Sequence, residues 1–228
     1  LANLGQQVLL VDVDPQANAT SGLGIEHRKL DKGIYNALIG ENTLPEIIKR
    51  TLQNNYYLAP ATLALAGAAV ELINMEDREF RLMRLLQDVR NDYDFIIIDG
   101  PPSLGLLTVN SMVAADEILI PVQSEYYALE GLSQLLETIF LIQNNLKPSL
   151  GIMGAVITMF DKRNRLSELV KAEIHQYFPN RVFNSIIPRS VRLAEAPSYG
   201  RTILQYDPKS TGALAYEELA KEIIALKK

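Results

Sequence analysis

The sequence contains no cysteine. Disulfides, thiolate zinc sites and cysteine nucleophiles are therefore excluded, and the composition suits a reducing compartment. No apolar run reaches the roughly 18 residues that a membrane-spanning helix needs, and no stretch has the pattern of a secretory leader. The two histidines, His27 and His175, lie far apart without ligand-like neighbours and are assigned no metal. No Gly-x-Gly-x-x-Gly follows a strand pattern, which disfavours a conventional dinucleotide-binding domain. What remains is 228 residues with 48% hydrophobic and 21% charged side chains, enough to bury a sizeable globular core.

Acidic residues outnumber basic ones, for a net charge of −5, but the excess is uneven. Residues 1–146 carry 9 basic and 19 acidic side chains, whereas residues 147–228 carry 13 and 8. Such asymmetry marks a local basic face on an acidic protein, or nothing more than an accident of sequence.

The stretch that organises the chain is Gln7 to Gly24, QVLLVDVDPQANATSGLG. Its apolar, β-branched opening suits a buried parallel strand. Two carboxylates follow, Asp12 and Asp14, which strand alternation would place on one face. Like charges side by side are costly unless a cation or strong donors sit between them. Pro15 stops the strand, and the small polar residues after it have the composition of a loop that closes over a ligand. Carboxylates at the C-terminal end of a parallel strand stand where open α/β sheets bind ligands; solvated aspartates at a strand end are the plainer reading.

Asp94-Phe95-Ile96-Ile97-Ile98-Asp99 is a second buried strand ending in a carboxylate, broken by Gly100-Pro101-Pro102. It has the form of a Walker B strand, which delivers a carboxylate able to hold magnesium, usually through water. Around these two strands the pattern predicts short helices at Gly33–Ile39 and Leu44–Leu52 and a strand at Tyr56–Ala59. Helical patterns follow at Ala64–Met75, Arg78–Arg90 and Leu104–Ala115. Strands are then expected at Glu117–Val122, Gly151–Phe160 and Arg181–Ile187, alternating with helices at Ala128–Asn144 and Arg165–Phe178. Pro188–Asp207 reads as irregular, and Gly212–Leu226 as a closing amphipathic helix. This alternation predicts an α/β fold, a mainly parallel sheet with helices on both faces, in one domain spanning residues 1–228. Tyr56-Tyr57 and Tyr126-Tyr127, beside strands, read as packing or dimer contacts rather than base-stacking platforms.

The blocks VLLVDVDPQANATSGLG, DFIIIDGPPSLGLLTVNSM, PVQSEYYALEGL and IPRSVRLAEAPSYGRTI together resemble the ParA/Soj family of partitioning ATPases, P-loop NTPases of the deviant Walker type related to MinD. The resemblance runs from residue 4 to about residue 224. It implies ATP and Mg2+ as cofactors. Asp14 would be the switch-one aspartate that orients the hydrolytic water, with Asp12 beside it in the deviant block near the magnesium shell. Asp99 would be the magnesium-holding Walker B aspartate, and Pro188 and Arg189 would flank the adenine. Arg163 and Arg192 match the arginines of the family's sequence-independent DNA surface. The implied partners are DNA, a second copy joined through ATP, and a ParB-type stimulating protein, without stable membrane association. The implied location is the cytoplasm, on the nucleoid.

One departure stands against the resemblance. Leu1–Gly5 reads as the last turn of a helix, and nothing in residues 1–228 matches Gly-x-x-x-x-Gly-Lys-Ser/Thr. The sequence thus has the look of a chain lacking the family's first strand and P-loop. On that reading, the 228 residues alone neither grip nor hydrolyse ATP, and the missing strand leaves apolar surface and unpaired edges. The alternatives are a MinD-like membrane-cycling ATPase, disfavoured by the ending KEIIALKK without a bulky apolar face, and a non-catalytic interaction module.

Overall fold

The computed structural model describes residues 1–125, 128–179 and 181–227. Tyr126 and Tyr127, singled out above, lie outside the described residues. The chain divides into two compact units, Leu1–Ala115 and Asp116–Lys228, where the strand–helix alternation suggested one domain. Each unit has its own hydrogen-bonded sheet.

The first unit opens with a helical turn at Ala2–Leu4, ended by Gly5 in the left-handed region (φ +86°). It contains β1 (Val8–Asp12), α1 (Asn18–Gly22), α2 (Ile34–Ile39), α3 (Leu44–Ile47), β2 (Lys49–Arg50) and β3 (Tyr56–Ala59). These are followed by α4 (Ala68–Leu72), α5 (Arg81–Gln87), β4 (Phe95–Asp99) and α6 (Leu106–Ala114). The strand order is β2-β3-β1-β4, with β1 parallel to both β3 and β4. β1 lies between two partners and every one of its residues is buried, as its unbroken apolar run requires. Leu9, Val11 and Val13 join Ile34, Leu38, Leu58, Leu65 and Leu82 among residues withdrawn from solvent.

β4 carries the same kind of apolar run but ends the strand order, so it is paired on one side only. Its Ile97 is 43% exposed, although the sequence pattern predicts full burial. The unpaired side of β4 accounts for that exposure. The predicted helix Leu44–Leu52 is also shorter than its pattern. A capping box at Thr43 and Glu46 starts α3, Thr43 donating its N–H to Glu46 at 2.7 Å. Ile48 then leaves helical geometry, and Lys49 and Arg50 pair antiparallel with Leu58 and Tyr57. Edge pairing outweighs the helical periodicity there. Tyr57 packs edge-to-face on Tyr93 with ring centroids 5.5 Å apart, a contact within this unit.

The second unit contains β5 (Glu117–Gln123), α7 (Ala128–Asn145), β6 (Gly151–Phe160), α8 (Arg165–Tyr177) and β7 (Val182–Pro188). It continues through α9 (Val191–Glu195) and α10 (Ile203–Tyr206) to α11 (Thr211–Leu226). The sheet order is β5-β6-β7, parallel throughout. The segment Pro188–Asp207 is less irregular than its sequence predicts, since it holds α9 and α10. A capping box between Thr202 and Gln205 nucleates α10, a short-range signal obscured by the surrounding Pro, Gly and Arg residues. Ser210 caps α11 by accepting from the Ala213 N–H at 3.2 Å. The apolar face of α11 then packs Leu219 and Ile223 with Val156, Phe183 and Ile187.

One carboxylate fastens α11 to β7. Glu222 accepts from the backbone N–H groups of Asn184 (2.9 Å) and Ser185 (2.7 Å), and from both of their side chains. Burial alone would raise its carboxyl, but the Ser185 and Asn184 hydrogen bonds outweigh that and hold it below the usual range. Its stabilisation is present above the unfolded carboxylate value of about 4.3. It is lost as pH falls through the lower folded value. Glu222→Gln is expected to cost about 1–3 kcal/mol at pH 7, with the gap to the parent narrowing in acid. Urea melts at both pH values test this, and a constant gap would remove Glu222 from the account.

Candidate functional site

The two carboxylate-ended strands of the first unit lie next to each other. Asp12 of β1 and Asp99 of β4 are register partners, and the Val13 N–H donates to the Asp99 carbonyl at 2.8 Å. Parallel pairing therefore brings together the two strand ends that the sequence singles out, with Asp14 two residues beyond. The expectation that Asp12 and Asp14 share a strand face does not hold, because β1 ends at Asp12 and the chain turns. Asp12 is fully buried and Asp14 half-buried.

The loop after β1 is built on Asp12. One carboxylate oxygen accepts from the Thr20 backbone N–H (2.8 Å) and hydroxyl (2.6 Å), and the other from the Asp14 N–H (3.2 Å). The Thr20 hydroxyl in turn accepts from the Ala61 N–H at 3.0 Å, joining the loop to the exit of β3. Asp14 makes its own turn, accepting from the Gln16 N–H at 2.9 Å. Ala17 adopts φ +53° while wholly buried, a left-handed conformation that costs about 1–2 kcal/mol outside glycine. Nothing in the sequence marks Thr20 or Ala17, which are ordinary residues of a small polar stretch.

The electrostatics at this mouth are one-sided. Packing around its carboxyl, then the charges of Asp12 and Asp14, pushes Asp99 up to about 6, even though the residue lies on the exposed edge. Asp12 is raised by its burial, with Asp14 adding to the rise and the Thr20 donors opposing it. None of the three carboxylates has a cationic partner among the described residues. Nor do the described residues include a cluster of three or more His, Asp or Glu side chains set to hold a metal by themselves. His27 instead meets the Ser21 hydroxyl at 2.9 Å, and His175 the Lys171 carbonyl at 2.8 Å.

The remaining candidates lie in the second unit. Phe160 and Pro188 are register partners at the ends of β6 and β7, where a cleft of about 860 Å³ opens. Pro188, Arg189 and Arg163 all line it, with Lys162 and Lys171. The adenine and DNA assignments thus meet in one place for Arg189 and Arg163. Arg192 is not among the lining residues; it stands on α9. Within β6, next to its last residue, Met159 takes φ +55°, with its carbonyl held by the Ser124 hydroxyl at 3.0 Å. That strained position has no signature in the sequence.

Every one of these arginines has a carboxylate. Arg163 forks onto Asp161 through Nε at 3.0 Å and Nη2 at 2.9 Å, and with the Arg163 N–H this holds the Asp161 carboxyl down to about 2. Arg189 pairs with Glu125. Arg192 meets Glu195 at 3.1 Å and Asp207 at 3.5 Å and lies over the Tyr206 ring. The Tyr206 hydroxyl also donates to Glu195 at 3.0 Å, and its ring stacks on Tyr199 at 5.1 Å.

A family model described as an AAA domain matches residues 1–152. The chain is 52% identical over 225 residues to the sporulation initiation inhibitor protein Soj of Bacillus subtilis (strain 168), covering 99% of this chain and 89% of that protein. It is 48% identical over 224 residues to the chromosome partitioning protein ParA of Myxococcus xanthus (strain DK1622), covering 98% and 79%. Among solved structures, cobyrinic acid a,c-diamide synthase from Mycobacterium smegmatis superposes with a TM-score of 0.87 at 34% identity, over 100% of this chain and 85% of that one. The same synthase has been solved with an ATP analog and magnesium bound.

The Asp12–Thr20–Ala61 link makes a direct prediction. Thr20→Val removes the hydroxyl, leaving a buried carboxylate one donor short and the Ala61 N–H without an acceptor. The expected cost is about 1–3 kcal/mol, with Thr20→Ser close to the parent. A urea midpoint for Thr20→Val equal to the parent's would show that the link carries no stability.

Proposed function

We propose, from the premise that this chain belongs to the Soj/ParA family of chromosome-partitioning ATPases, that its first unit contributes the acidic half of an ATP–magnesium site and its second a DNA surface. The observation that carries this reading is the register pairing of Asp12 with Asp99, with Asp14 immediately beyond.

The acidic mouth fits magnesium by its chemistry. Three carboxylates gather there without a basic side chain, and magnesium is usually held by one or two carboxylates together with phosphate oxygens and water. Asp99, raised and with no hydrogen-bond donor among the described residues, is the residue to hold the ion, with Asp12 close behind it. When bound, the ion would neutralise charge developing on the transferred phosphoryl group. Asp12 keeps the loop folded through Thr20. Asp14, presented beyond the strand end, would orient the attacking water. Pro188 and Arg189 keep the adenine-flanking role that the resemblance implies. The phosphate-gripping loop itself is no part of residues 1–228, and on this proposal those residues alone do not turn over ATP.

The cycle we infer is ATP-driven dimerisation, DNA binding without sequence preference, and hydrolysis stimulated by a ParB-type partner that resets the protein. Such a cycle would place it on the nucleoid in the cytoplasm. What favours DNA over a membrane surface is α11, whose Leu219 and Ile223 are taken up by packing with β7, leaving the widely spaced Leu214 and Leu226 exposed.

Two experiments test the reading in protein restored with a phosphate-binding loop ahead of Leu1. Asp14→Ala is expected to retain ATP binding and lose turnover by about a hundredfold or more; unaltered turnover would reject its role. Replacing Arg163 and Arg192 together by glutamine is expected to weaken retention of random-sequence DNA at least tenfold and to flatten its salt dependence. Retention at the parent level would place the DNA surface elsewhere.

A further inference from the structure

The arginines proposed to meet DNA are not bare cations. Arg163 is 90% exposed at its side chain, yet two of its guanidinium nitrogens and its backbone N–H all converge on the Asp161 carboxylate. Arg192 is held between Glu195 and Asp207, and Tyr206 ties Glu195 in place. The neighbouring Lys162 and Arg165, by contrast, have no carboxylate partner among the described residues. A carboxylate offers a guanidinium the same two-oxygen edge that a phosphate does. The acids thus occupy the very groups that a phosphate would use.

We propose that Asp161, and Glu195 with Asp207, are built-in competitors of phosphate that hold Arg163 and Arg192 until DNA displaces them, and so set the affinity of this surface. The proposal rests on the DNA reading above. Binding at these arginines is an exchange of one anion for another. Freeing the carboxylate beside the DNA leaves a negative charge that takes up a cation, which offsets part of the counterion release won at the phosphate and reduces that arginine's share of the salt dependence. Exposed pairs of this kind are weak, so each acid should hold affinity down by about two- to fivefold. This permits a surface that binds DNA when two copies act together and lets go when they separate.

The test is titration of a fluorescent random-sequence duplex with the restored protein and ATP over a series of salt concentrations. Asp161→Asn is expected to tighten binding about two- to fivefold at low salt and to steepen the log–log salt slope by up to about one. Glu195→Gln should act in the same direction through Arg192, which guards against a fault peculiar to either variant. Glu168→Gln removes a charge from the same cleft without freeing an arginine, and should tighten binding less. In an Arg163→Gln background, Asp161→Asn should tighten binding no more than Glu168→Gln does. Unchanged or weaker binding in Asp161→Asn, or a gain undiminished in the Arg163→Gln background, would overturn the proposal. Arg163→Gln/Arg192→Gln protein that binds DNA like the parent would refute the DNA surface itself, and this inference with it.

Discussion

The first unit depends on making a buried carboxylate tolerable. Asp12 sits at the end of a wholly buried strand, where an ionised group without partners would be heavily penalised. The Thr20 N–H and hydroxyl supply the donors, and they can do so only if the chain doubles back immediately after β1. That return forces the left-handed turn at Ala17 and sends Asp14 outward, with its own turn around Gln16. The Thr20 hydroxyl passes the constraint on to Ala61 and so to the exit of β3. One buried charge therefore fixes the loop, the presentation of Asp14 and the junction of two strands.

The strands were readable because an apolar, β-branched run leaves a clear mark whether or not the strand is buried on both sides. Val8–Val11 and Phe95–Ile98 are apolar runs ended by carboxylates, and both form the parallel strands their patterns predict. Elements decided by partners distant in sequence were not readable. Residues 49–50 carry a helical pattern but pair with β3, because a four-residue helix gains less there than an edge ladder does. Residues 188–207 look irregular because the signal for α10 is a single capping box among turn formers. The residues of the site could be picked out, but their relations could not. Alternation gave Asp12 and Asp14 a common face only by assuming that the strand continued, and no local rule reveals that it stops. Thr20 escaped notice because a threonine in a polar loop is ordinary until its neighbour across the fold is known.

The second unit corrects a simpler inference from charge. An excess of basic residues in 147–228 suggests a positive patch, yet each arginine of interest faces an acid. Composition counts charges without saying which are spent on one another. Two of these pairs lie within a few residues in sequence, Asp161 with Arg163 and Arg192 with Glu195, so there the cancellation is local. What distinguishes the region beyond its positive charge is that each of these guanidinium groups is held by an acid, Arg163 in a planar fork.

The two units thus pose opposite electrostatic problems. At the strand ends of the first, negative charges gather without a cation, and Asp99 is pushed toward neutrality in consequence. Such a site gains by taking up a positive ion, and it weakens in acid because protonation relieves the same repulsion. In the second, cations are already balanced, and Asp161 is held so low that it stays ionised throughout the physiological range. A ligand there must compete with an anion that pH does not remove. Salt should then be the stronger control on the second unit and pH on the first. The proposed cycle takes up and releases two different polyanions, ATP and DNA, and keeping those two responses separate would serve it.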